Sequence, residues 1–146
     1  MKARRRGAGM LLGLSSALTF SFLGASPASA SSATWTLEAQ GQELCVRYAA
    51  AWWAAPAPVA GSWSSEIKVG IRDLPFEESK MLAGSTIAPG VNKPDADGNI
   101  ARNGMVFFTL PYEIQSGEYT AEIYATDGTR TDTDTLRIVF GEENCR

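Results

Sequence analysis

The sequence predicts an all-β chain: one antiparallel sandwich of about seven strands, tied by one disulfide and preceded by a signal peptide. Three observations carry this. Alternation is unbroken from Glu118, with Tyr119, Ala121, Ile123 and Ala125 on one face and Glu118, Thr120, Glu122 and Thr126 on the other. That is the period-two signature of a half-buried strand, and only Tyr124 spoils its polar side. Ser116-Gly117 before it and Asp127-Gly128 after it are turn signals. The second observation is that no segment shows helical periodicity of useful length. The third is the N-terminus. Lys2, Arg4, Arg5 and Arg6 precede an apolar run from about Gly9 to Gly24, and Ala28-Ser29-Ala30 matches a small-x-small cleavage site. The run is short for a membrane span and holds Ser15, Ser16 and Thr19, so cleavage is expected rather than anchoring.

Residues 1–30 are therefore read as a secretory leader and 31–146 as one domain, long enough for a modest core. The leader holds four of the 13 basic residues and none of the 16 acidic ones. Nine basic residues then face sixteen acidic ones, a balance of −7. Such a surface argues against nucleic acid and anionic lipid as partners. Cys45 and Cys145 are the only cysteines. In an oxidising compartment they are expected to pair. The chain-entropy relation gives about 4.7 kcal/mol for a closed loop of about 100 residues. There is no histidine. Ser-His-Asp and Cys-His nucleophile systems are thereby excluded, as are histidine-ligated metal sites.

Taken in order, Thr34 to Glu38 alternates with Trp35 and Leu37 inward. Gln40-Gly41 turns the chain. Glu43 to Tyr48 follows, with Leu44, Val46 and Tyr48 on the core face and Cys45 outward, which places the bridge at the rim or outer face. Residues 49–61 are Ala-rich, but Pro56 and Pro58 forbid a continuing helix. They read as a strand end and then an extended, Pro-stiffened loop. Trp63 opens the next strand, with Ile67, Val69 and Ile71 inward. Residues 75–104 are the least regular part: a helical turn or edge strand before Leu82, a short strand near Ser85 to Ala88, a turn at Pro89-Gly90 and a polar loop from Asn92 to Asn99. So long an irregular stretch is uncommon in a compact domain. Met105 to Leu110 is a nearly all-apolar strand. Val106, Phe108 and Leu110 share one face and Met105 and Phe107 the other, which implies cover on both sides or an exposed apolar patch. After the alternating strand comes a loop from Asp127 to Asp134, then Leu136, Ile138 and Phe140 inward on the last strand.

About seven short strands with turns between them match an Ig-like or fibronectin-like sandwich. Leu110-Pro111, a polar loop and then Gly117-x-Tyr119 resemble the corner that leads into the sixth strand of such folds. Tyr119 is the candidate corner tyrosine, and a buried ring there needs a backbone acceptor for its hydroxyl.

Several segments resemble a group of small secreted actinobacterial proteins that carries only an unknown-function label. They are Thr34-Trp35-Thr36-Leu37-Glu38 before Cys45, Gly61-Ser62-Trp63-Ser64, Gly117-Glu118-Tyr119-Thr120-Ala121, Ala125-Thr126-Asp127-Gly128-Thr129 and the near-terminal Cys145. The resemblance implies an Ig-like sandwich, secretion and the single disulfide, and brings no activity. The chain is also similar in size and fold class to the apoproteins of secreted actinobacterial chromoproteins. Those have two disulfides, and this chain has cysteines for one.

Three groups of residues are candidates for chemistry. Asp95-x-Asp97-Gly98-Asn99 looks like half of a calcium loop, but Ile100 and Val106 stand where an EF-hand needs Gly and Glu. A solvated turn is the expectation, and no metal or other cofactor is assigned. Asp127, Asp132 and Asp134 read as a polar hairpin loop. Trp52, Trp53 and Trp63 are the candidate ligand-binding residues. In an extended chain Trp52 and Trp53 point to opposite sides, so one is expected outward, where an indole can stack on a sugar or a partner protein. The alternative is that both pack beneath the loop. Glu113, Glu118 and Glu122 are available for carboxylate chemistry, but Glu118 and Glu122 fall on an outward strand face, where nothing raises a pKa for catalysis. The functional expectation is a secreted, extracellular, non-catalytic binding module for an unknown protein or glycan. Carbohydrate binding through the tryptophans stands second and a carboxylate-dependent hydrolase third.

Overall fold

The computed structural model describes residues 34–47, 51–141 and Cys145. Residues 1–30, where a leader is expected, lie outside the described residues, as do Tyr48 and Glu142 to Asn144. Eleven strands run in chain order: β1 (Thr34–Leu37), β2 (Glu43–Val46), β3 (Trp53–Pro56), β4 (Val59–Trp63), β5 (Ile67–Arg72), β6 (Lys80–Gly84), β7 (Thr86–Ile87), β8 (Gly90–Asn92), β9 (Met105–Thr109), β10 (Gly117–Thr126) and β11 (Thr131–Phe140). No helix occurs among the described residues. They form a five-stranded sheet, β2-β11-β10-β5-β7, and two three-stranded sheets, β1-β4-β8 and β3-β9-β6.

The expected seven strands in one sandwich are thus eleven in three sheets, and two interruptions explain much of the difference. Pro56 and Pro58 lack N–H donors, so the segment from Trp53 to Trp63 cannot run as one ladder. The bonds between the halves are improvised instead: Ala57 N donates to the Gly104 carbonyl and Val59 N to Asn103 Oδ1. Residues 49–61, expected as a strand end and then an extended, Pro-stiffened loop, instead hold β3 and the start of β4 with a proline joint between them, over the part that is described. Ser85 makes the second interruption. Its N–H donates to the Met105 carbonyl on β9, while its own carbonyl accepts Val69 N on β5. One residue hands the chain from a three-stranded sheet to the five-stranded one. Ser85 Oγ also accepts the N–H of Met105, at 3.0 Å.

Not every pairing is antiparallel, as the sequence had suggested. β2 runs parallel to β11, with Cys45 opposite Val139. Parallel neighbours need a long connection, and here the rest of the fold supplies it. Cys45 and Cys145 are bonded with their Cα atoms 5.5 Å apart, within the ordinary range. The half-buried Cys45 alternates with buried Val46 on this edge strand, so the bridge lies away from the interior.

The alternating segment forms the long β10–β11 ladder, and β11 begins at Thr131 rather than near Leu136. Ala121, Ile123, Ala125, Leu136, Ile138 and Phe140 join Ile67, Val69 and Ile71 in the core, with Trp35, Leu37, Ala55, Val59, Val106 and Phe108 from the smaller sheets. Tyr124 is on the outer side because Gly70 lies opposite it, and a Cβ at Gly70 would collide with the Tyr124 ring. The Tyr119 hydroxyl donates to the Gln115 carbonyl at 3.2 Å, and its ring packs on Phe76 and Phe140.

Asp132 and Asp134 are strand residues, not loop residues. Asp132 Oδ2 accepts Leu37 N and Asp134 Oδ2 accepts Ala39 N, each at 3.0 Å. One carboxylate thereby takes the last N–H of β1, and the other takes an N–H two residues beyond it. The irregular stretch before β9 is held in a similar way. Asn103 both accepts from Val59 N and donates to the Val59 carbonyl, and Asn92 Nδ2 donates to Val59 and Ala101 carbonyls. Side-chain amides supply what a ladder would otherwise provide.

Candidate functional site

β9 buries Val106 and Phe108 completely, so alternation turns Met105, Phe107 and Thr109 to the other side of its sheet. Ala54 on β3 and Ala83 on β6 flank Phe107 across the ladders. A register shift between Met81 and Ala83 sets Leu82 at a bulge, 56% exposed. Trp52, just before β3, is 57% exposed and meets Phe107 edge to face, with centroids 5.8 Å apart. The result is an uncovered apolar face centred on two rings. The three strands hold fourteen residues, four, five and five, and Lys80 alone is charged. In an acidic chain that concentration of neutral residues is unusual, and exposed apolar patches of this kind mark interaction surfaces.

The structure separates the three candidate tryptophans. Trp52 points outward, Trp53 is half-buried against the core and Trp63 is 6% exposed. Trp63 Nε1 donates to the Ala88 carbonyl at 2.8 Å, so its polar atom is satisfied internally. The three do not form one platform. Leu82, Ala83 and Ala54 complete the face and were not singled out from sequence. The two apolar faces of Met105 to Leu110 left either cover on both sides or such a patch open, and which strands flank it depends on register.

Of the acidic candidates, Glu113 is exposed between β9 and β10, and the others are engaged elsewhere. Glu118 pairs with Arg137 and Glu122 with Arg72 on the outer side of the five-stranded sheet. Hydrogen bonding to Glu118 raises the Arg137 pKa. Asp95 accepts the N–H groups of Asp97 and Asn99 at 2.9 and 2.8 Å. The Asn99 bond chiefly lowers its pKa. Its oxygens therefore close their own turn. No three carboxylate or cysteine side chains converge as a metal site among the described residues. Asp127 Oδ1 accepts the N–H groups of Thr129 and Arg130, and Oδ2 accepts Trp35 Nε1 at 3.0 Å. These bonds, Arg130 first, hold its pKa well below the ordinary carboxylate range. Asp134 shifts upward, mainly through desolvation, with Asp132 and Glu38 adding repulsion against the opposing Ala39 bond.

A polar cleft of about 480 Å³ lies between Glu38, Gln42, Glu43, Pro56, Asn99 and Arg102. Gln42 Nε2 is spent on the Pro56 carbonyl at 2.9 Å and Glu43 is paired with Arg137. Its lining offers hydrogen bonds and little apolar enclosure, whereas the Trp52 face offers the reverse. No described helix is long and apolar enough to cross a membrane.

The curated proteins contain no match to the chain. A family model described as a family of unknown function, DUF5980, matches residues 36–142. That is more than half of the 146 residues, and the chain belongs to this family.

Proposed function

We propose that the chain is a secreted, non-catalytic, Ig-like module that binds another extracellular protein through the outer face of β3, β9 and β6. The observation that carries this is the exposed Trp52 seated on the half-buried Phe107, on a sheet face with one charge. Large amphipathic rings in an apolar surround are the residues on which binding energy concentrates. Secretion is supported by the leader pattern and by the bonded cysteines. The Ig-like reading is supported by the shared core, the pairing of an early strand with the last one and the bond from Tyr119 to Gln115.

A protein fits this face better than a sugar. Sugar rings need hydrogen-bond partners for their hydroxyls, and Ala54, Leu82, Ala83 and Phe107 have none to offer. The two rings stand at 63°, so they do not make a flat stacking platform. The test is retention of the leader-free chain on panels of extracellular proteins and on a glycan array, alongside Trp52→Ala. Retention by a protein that disappears in Trp52→Ala, with Tm preserved, is the expected result. Substrate turnover by the purified chain, or binding indifferent to Trp52, would defeat the reading.

A further inference from the structure

We infer that this face takes a short apolar segment of a partner protein, and that basic residues at one end of the segment meet Glu77, Glu78 and Glu113. The inference rests on the binding role just proposed and adds the chemistry of the partner. Size points to a segment rather than a folded surface. Three strands about 4.8 Å apart, with five residues rising about 3.3 Å each, span on the order of 200 Å². A stable specific interface covers roughly 800 Å² on each partner. A second copy of this chain would have to extend its contact well beyond the neutral face, bringing two acidic surfaces together.

Register fixes the direction. Lys80 pairs with Thr109, and Trp53 pairs with Phe108, which brings Trp52 to the Thr109 end of the sheet. The chain enters β6 through Glu77-Glu78 and leaves β9 toward Glu113. All three carboxylates are exposed, and none has an ion pair among the described residues. Lys80 and the exposed Arg47, which follows Val46 beside Phe140 and Phe76, offset two of them and leave a net negative charge. At the opposite end, beside Pro56, Arg102 and Glu38 line the cleft together and Glu43 is paired with Arg137. The aromatic end is therefore the negative one, and a cationic flank is favoured there.

The test titrates the oxidised, leader-free chain with three synthetic peptides of about ten residues, enough to cross the sheet. They share an alternating Leu/Thr core and end in Lys residues, Glu residues or neither. The Lys-ended peptide should bind about tenfold more tightly than the Glu-ended one at low salt. The preference should shrink in about 0.5 M salt. Glu77→Gln with Glu78→Gln and Glu113→Gln should abolish it, and Lys80→Gln should enlarge it. Trp52→Ala should weaken all three peptides. Equal affinities that still depend on Trp52 would overturn the basic-end assignment and leave the binding face standing. Absence of binding by every peptide, or binding that ignores Trp52, would overturn both. Sedimentation showing a dimer that buries Trp52 would overturn the segment in favour of a second copy.

Discussion

Trp52 and Phe107 meet edge to face, 5.8 Å between centroids, on the side of their sheet opposite the buried Phe108. Adjacent phenylalanines on β9 thus serve two environments. Phe108→Ala should cost about 3–5 kcal/mol, because it empties a fully buried site. Trp52→Ala should cost no more than about 1 kcal/mol, since half of the indole is already in water. Urea unfolding of both variants checks this. A loss from Trp52→Ala as large as that from Phe108→Ala would mean the indole serves the core.

The bridge between Cys45 and Cys145 joins residues 100 positions apart. Closing so long a loop restricts the unfolded chain by about 4.7 kcal/mol in the entropy relation. Reduction, or Cys45→Ser with Cys145→Ser, should lower the unfolding free energy by roughly 3–5 kcal/mol. The parallel β2–β11 edge should exchange its amide hydrogens first, because it lies beside the bridge. Uniform exchange along β11 would contradict that.

Ser85 touches β9 and β5 with backbone groups and holds Met105 N with its hydroxyl. Ser85→Ala leaves that N–H without a partner in a half-buried place. The expected loss is about 1–3 kcal/mol, and Ser85→Thr should restore most of it. Denaturant midpoints for the two variants decide the point.

Asp127 and Trp35 predict an acid dependence. A depressed folded pKa means stability that is present above the ordinary carboxylate pKa and lost as pH falls below about 4. The wild-type Tm should therefore drop steeply in that range. Asp127→Asn should be less stable at neutral pH, and its deficit should narrow on acidification. A constant deficit would show that Asp127 acts through turn geometry alone.

Asp134 has the opposite sign. Its folded pKa is raised, so its favourable contribution belongs to low pH and is lost as pH rises through the folded value. Asp134→Asn keeps an acceptor for Ala39 N and removes the charge beside Asp132 and Glu38. Its Tm should exceed that of wild type at neutral pH, and the gain should fade below about pH 4. Asp134→Ala removes the acceptor as well and should be destabilising at every pH. A lower neutral Tm for Asp134→Asn would refute the repulsion.

Local alternation was enough to identify the inward faces of β1, β5, β10 and the end of β11, because side-chain period along a strand is a property of neighbouring residues. Composition likewise named Cys45 and Cys145 as partners, while Met105 to Leu110 showed two apolar faces without saying which one the core would cover. The rest needed the folded chain. Asn103 bonds Val59 across 44 positions, Trp35 bonds Asp127 across 92, and Asp132 bonds Leu37 across 95. Each joins a side chain to a group that no local pattern relates to it. The same holds for Ser85, whose two backbone bonds go to different sheets. Trp63 seemed as available as Trp52 while only their spacing was known. Burial depends on what the remaining strands cover, and only the tertiary structure placed Trp63 under Ala88 and left Trp52 in water.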